Sequence, residues 1–166
     1  GGVGKTTLAY SLYTKISGKF DSFCFLENIK EESSMKTLQE KILSTVLKIE
    51  VKVESVDKGK QTIKTRLGCK KVLLLLDDID DLKQLEALAG SHDWFGDGSR
   101  ILITTRNEHL LRTHRVDKVS HVSLLSNEEA IRLFKRRAYN ETKPIEDYKM
   151  LSQRVVTYAG GLPLAL

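Results

Sequence analysis

The chain has 166 residues, 40% hydrophobic and 30% charged, enough for one globular domain and part of another around a sizeable core. Its longest apolar run, Val72 to Leu76, is far too short to cross a bilayer, and no secretory leader is visible. The net charge of +5 comes from Lys and Arg interspersed with Glu and Asp along helices, which describes a solvated surface better than a nucleic-acid face.

The first stretch, Gly1-Gly2-Val3-Gly4-Lys5-Thr6-Thr7, carries all but the leading Gly of the phosphate-binding pattern Gly-x-x-x-x-Gly-Lys-Ser/Thr. Glycines let the backbone turn tightly and aim N–H groups inward as an anion nest. Lys5 can reach β- and γ-phosphates, and the Thr6 hydroxyl can ligate Mg²⁺. Leu8, Ala9, Leu12 and Ile16 share one helical face that Gly18 closes, which places the loop at a helix N-terminus, where anions are favoured. The alternative is a plain Gly-rich turn that caps a helix.

Further along, apolar bursts alternate with amphipathic stretches, the pattern of an α/β parallel sheet. Phe23 to Leu26 suits a buried strand, and Met35, Leu38, Ile42, Leu43, Val46 and Leu47 keep helical period. Lys60 to Leu67 reads as a weaker helix ending at Gly68. Lys71 to Leu76 reads as a central strand covered on both faces, and Leu82 to Ala89 as a short helix stopped by Gly90. Ile101 to Ile103 is expected to be another buried strand, and Val119 to Leu124 the last one. After Leu125 the character turns helical. Ser126 and Glu129 have capping-box spacing ahead of Ala130, Ile131, Phe134 and Ala138. A second helix is expected over Ile145 to Ala159 with Leu151, Val155 and Ala159 inward, broken at Gly160-Gly161-Leu162-Pro163, where Pro163 can open a further helix.

A nucleotide site needs a second element for its metal, and Asp77 supplies a carboxylate at the C-terminal end of a buried strand, where ligands gather in parallel sheets. Asp77 would hold Mg²⁺ through water, and Asp78 could orient or activate an attacking water. The alternative is an acidic turn, Asp77 to Asp81, capping the next helix, and Asp80 and Asp81 fit that role. Arg106, at the end of Thr104-Thr105-Arg106, could contact a γ-phosphate or simply pair with Glu108; Arg100 at the other end is structural. Cys24 and Cys69 make neither a disulfide framework nor zinc spacing, and His92, His109, His114 and His121 show no ligand spacing. Trp94 and Phe95 read as a loop anchored into the core, or as a partner surface.

GGVGKTT, FDSFCFLENIKEES, KKVLLLLDDIDDLKQLEALAG, WFGDGSRILITTR, VSLLSNEEAIRLF and GLPLAL follow in an order that resembles the NB-ARC domain of plant nucleotide-binding leucine-rich-repeat immune receptors. The likeness covers essentially the whole chain. Asp80, where receptors with a coiled-coil N-terminus usually carry Trp, and FDSFCFLENI resemble the subclass with an N-terminal TIR domain.

The resemblance implies a P-loop NTPase sheet with helices on both faces over residues 1–125 and the start of a helical ARC module over 126–166. It implies that ADP or ATP binds at Gly1 to Thr7, that Mg²⁺ lies at Thr6 and Asp77, that Arg106 senses the γ-phosphate, and that Pro163 packs against the nucleotide. It also implies slow hydrolysis within a switch, self-oligomerisation on activation, TIR and leucine-rich-repeat domains outside these residues, and a cytoplasmic or nuclear location. The competing functions are an ATPase working by steady turnover and a scaffold with a permanently bound nucleotide. Because the chain starts and stops at motifs commonly used to recover such genes with degenerate primers, it is expected to be a gene fragment. The strand feeding the glycine loop would then be missing from inside the sheet, and residues 1–166 alone would be poorly stable.

Overall fold

An unbroken leucine run cannot alternate between core and solvent, so a strand built from it needs cover on both faces. The computed structural model, which describes residues 2–138 and 149–166, provides that cover. Strand β2 (Val72–Ile79) lies between β1 (Ser22–Leu26) and β3 (Arg100–Thr105) in a parallel sheet of order β1-β2-β3. Leu74 and Leu76 face a core shared with α2 (Met35–Leu47), α3 (Val56–Leu67) and α4 (Leu82–Ala89), where Ile42, Leu43, Ile63, Leu67, Leu85 and Leu88 are buried. Leu73 and Leu75 face the opposite way, against Tyr13 of α1 (Lys5–Ile16). Helices therefore lie on both faces of the sheet, as the alternation of elements requires.

Local chemistry sets the helix ends. The Ser34 and Ser55 hydroxyls accept the N–H groups of Thr37 and Lys58, opening α2 and α3. At α4 the Asp81 carboxylate accepts the Lys83 N–H while the Gln84 amide oxygen accepts those of Asp80 and Asp81, so Asp81 caps the helix and Asp80 is bonded to the same Gln84. Asn107 caps the short α5 (Glu108–Thr113). In α2 the Gln39 side chain is fully buried, and its Nε2 donates to the carbonyls of Val56 at 3.0 Å and Ala87 at 2.8 Å. Gly59 of α3 sits against it, where a Cβ would run into Gln39 Oε1. Phe95 is buried and Trp94 packs half-buried beside it, so this loop is anchored in the core. Burial pushes the Cys24 thiol up to about 11, whereas Cys69 is exposed.

Several expectations need correction. Helix α3 begins at Val56 rather than Lys60, and β2 continues through Asp77 and Asp78 to Ile79. Strand β1 is buried only on the α2 side, at Ser22, Cys24 and Leu26, while Phe23 is 50% exposed. Ile101, Leu102 and Ile103 are half-buried rather than buried, because β3 has a strand on one side only among the described residues. On α1, Ala9 and Ile16 join Tyr13 against the sheet, but Leu8 and Leu12 are exposed. Residues 119–124 form no strand, since no neighbouring strand among the described residues offers them a ladder.

Thr6–Val119 form one compact unit, and Ser120–Leu166 with Gly1–Lys5 form a second. The second unit holds α6 (Asn127–Ala138) and α7 (Lys149–Ala159). The Glu129 carboxylate accepts the Ser126 N–H at 2.9 Å, and the Ser126 hydroxyl accepts the Glu129 N–H, completing the expected capping box. The Ser126 backbone N–H, with the Ser126 hydroxyl beside it, holds the Glu129 carboxyl below its usual range. Ala130 is buried, and α7 turns Ser152, Val156 and Ala159 inward with Val155 half-buried. Residues 145–148 and the side chains of Ala138 and Leu151 lie outside the described residues. Pro163 opens a 3₁₀ turn, Pro163–Ala165. Among the described residues no helix is long and apolar enough to cross a membrane.

Candidate nucleotide and metal site

Gly2 and Gly4 take φ values of 83° and 90°, a region that side chains with a Cβ rarely adopt. A Cβ on Gly2 would also lie 3.0 Å from Leu164 Cβ, and one on Gly4 3.9 Å from Pro163 Cγ. The Leu164 N–H donates to the Gly2 carbonyl at 3.2 Å. The Leu162-Pro163-Leu164 turn thus abuts the glycine loop within one unit, a contact between the two ends of the sequence. Lys5 opens α1, whose first-turn N–H groups have no intrahelical acceptor and whose dipole favours negative charge. Val3 is half-buried, Thr7 is exposed, and Gly1 lies outside the described residues.

The other unit places Thr6 beside the end of β2. Thr6 Oγ1 donates to Asp77 Oδ1 at 2.8 Å, and Thr104 Oγ1 donates to the same oxygen at 2.6 Å. Asp77 is only 2% exposed, so its carboxylate is held by these hydroxyls rather than by bulk water. The sheet is irregular here. Leu76 pairs with Ile103 and Ile79 with Thr105, so Asp77 and Asp78 together oppose Thr104, which makes a β-bulge. Asp78 absorbs the extra residue at φ 56°, and its N–H donates to Thr104 Oγ1 at 2.9 Å. One hydroxyl therefore holds both acidic residues. Sequence reading singles out Arg106 in Thr104-Thr105-Arg106. It has no pattern that marks Thr104 over Thr105, and only the bulge makes the distinction.

Arg106 is mostly exposed, and its Nε lies 3.5 Å from Asp78 Oδ1. Its other candidate partner, Glu108, accepts from Arg112 at 2.6 Å. Asp80 accepts from Gln84 Nε2 and pairs with Lys30, which keeps it with the α4 cap. A hydroxyl and a carboxylate are hard oxygen donors and fit Mg²⁺, which binds through few protein groups and keeps several waters. Among the described residues no group of three or more His, Cys, Asp or Glu is gathered that could hold a metal by itself.

A glycine loop opening a helix, a hydroxyl from that helix on a buried carboxylate, and a parallel sheet covered on both faces define a P-loop NTPase-like nucleotide-binding fold. Residues 1–144 match the NB-ARC domain, and the chain belongs to that family. It is 44% identical over 171 residues to the disease resistance protein RUN1 of Vitis rotundifolia and 45% identical over 174 residues to the TMV resistance protein N of Nicotiana glutinosa. It is also 36% identical over 177 residues to the disease resistance protein RPS6 of Arabidopsis thaliana. These alignments take in 99% or more of this chain but only 13%, 15% and 16% of the respective relatives.

Proposed function

We propose that this chain is the ADP/ATP-binding switch of a plant intracellular immune receptor of the TIR-type subclass, with Mg²⁺ at its site and slow ATP hydrolysis as the reset. The observation that carries the reading is the 2.8 Å bond from Thr6 to Asp77, which joins the phosphate-loop helix to the end of the central strand across 71 residues of sequence. In this reading Gly1 to Gly4 and Thr7 shape the loop, and Lys5 neutralises phosphate charge. Pro163, beside Gly4, packs against the nucleotide. Thr6 and Asp77 would hold Mg²⁺, which when bound would offset phosphate charge.

Asp78 orients a water, and Arg106 answers to the γ-phosphate. The ion pair between them supports a switch over steady turnover, because the same carboxylate and the third phosphate compete for one guanidinium. Such competition gives ADP and ATP different affinities for two states of the protein, the only means by which a ligand moves an equilibrium. Taking that equilibrium from 1:99 to 99:1 needs about 5.5 kcal/mol of differential binding. Self-oligomerisation in the ATP state, contact with the receptor's own TIR and repeat domains, and a cytoplasmic or nuclear location belong to the same proposal.

The test is to denature the purified protein and identify the released nucleotide by chromatography, with Lys5→Ala alongside. Stoichiometric ADP is expected from wild type, with retention weaker by at least about tenfold in a folded variant that lacks the charged donor. A well-folded wild type that carries and binds no nucleotide overturns the reading, and sustained rapid ATP turnover would favour the enzyme alternative.

A further inference from the structure

The bulge at the end of β2 breaks the residue-for-residue register with β3, and a side chain takes part where it does. Between the pairs Leu76–Ile103 and Ile79–Thr105, β3 offers one residue to two. A bulge normally leaves its extra residue without a ladder partner. Here Thr104 Oγ1 accepts the Asp78 N–H at 2.9 Å and donates its own O–H to Asp77 Oδ1 at 2.6 Å. Thr104 is 7% exposed, so water is a poor substitute for either bond.

We propose that Thr104 is a positioning residue for the metal site: its hydroxyl fixes the Asp77 carboxylate in register with Thr6 and sets the left-handed turn that carries Asp78 to Arg106. This rests on the nucleotide-site reading above and adds a residue to it. The chemistry demands a hydroxyl, because the group must accept from an N–H and donate to a carboxylate at once. Valine has the shape of threonine and can do neither. Serine can do both. Thr104 touches neither nucleotide nor metal in this account, and acts through the orientation of Asp77, as hydrogen-bond partners of metal ligands generally do.

The experiment is to titrate MgCl₂ against a fluorescent ADP analogue bound to the full chain, with a parallel measurement in EDTA, for wild type, Thr104→Ser and Thr104→Val. Thr104→Val should need about tenfold more Mg²⁺ for half-maximal effect, the lower end for loss of an outer-sphere partner, while its affinity in EDTA stays near wild type. Thr104→Ser should restore the wild-type requirement. A merely structural role would weaken binding equally with and without metal, and that result would overturn the proposal, as would a Thr104→Val curve matching wild type. If Thr104→Val does not fold, the Asp78 amide of the wild-type protein reports the same hydroxyl: slow hydrogen exchange is expected, and exchange at the rate of an unstructured peptide sinks the idea. A folded wild type that binds no nucleotide removes the site reading itself, and this inference with it; the tenfold split between Mg²⁺ and EDTA concerns Thr104 alone.

Discussion

The two faces of the sheet are built differently. On one, three helices cover Leu74 and Leu76 with side chains that are almost entirely buried. On the other, α1 covers Leu73 and Leu75 largely through Tyr13, and a half-open aromatic cluster extends outward, with Tyr10 5.4 Å from Phe25 and Tyr13 5.8 Å from Phe23 between ring centres. The first face buries more apolar side chains and is expected to contribute more to stability. The second is tied to the helix that begins at Lys5 and positions Thr6, so its helix is held by fewer apolar contacts and by the Thr6–Asp77 bond.

That contrast can be sharpened by substitution. Ile42→Ala, deep in the three-helix face, should cost about 3 kcal/mol of unfolding free energy in urea titration, the usual price of a buried large-to-small change. Gly59→Ala should cost about 2 kcal/mol by the same measurement, because the added methyl meets the immobile Gln39 amide rather than a side chain able to move aside. Phe23→Ala, on the open face, should cost about 1 kcal/mol or less, since half of the ring is already in water. If Phe23→Ala matched Ile42→Ala, the two faces would be equal in stabilisation and the comparison would fail.

Much of this arrangement was legible in the sequence. The leucine run announces a doubly covered strand, and the spacing of Ile42, Leu43 and Val46 announces a helix that packs on it. The departures have physical causes. Gly59 reads as a poor helix residue, yet α3 runs through it because Gln39 needs the space, a tertiary demand that no local pattern carries. Leu8 and Leu12 share a helical face with Ala9, but Tyr13 points to the sheet and decides the orientation of α1. On α7 the buried Ser152 hides the inward face from a search for apolar periodicity. Strand pairing is non-local, so residues 119–124 look like a strand in isolation and are not one. At the site, Thr6 and Asp77 are readable from their motifs. The Thr104 bonds are not, because a bulge is a property of two strands together.

The position of β2 at the centre of a parallel sheet also bears on how the chain reaches this structure. Neither of its neighbours is joined to it by a hairpin: α2 and α3 intervene on one side and α4 on the other. Its pairing must therefore wait for long stretches of backbone to close, which is slow compared with forming a local turn. Until then Val72 to Leu76 is an uncharged, strongly apolar segment with nothing over it, a template for contact between chains during synthesis. The charges that flank it, Lys70 and Lys71 before and Asp77 and Asp78 after, stand where gatekeepers against such contact are placed, so the acidic pair at the site also guards the strand it ends.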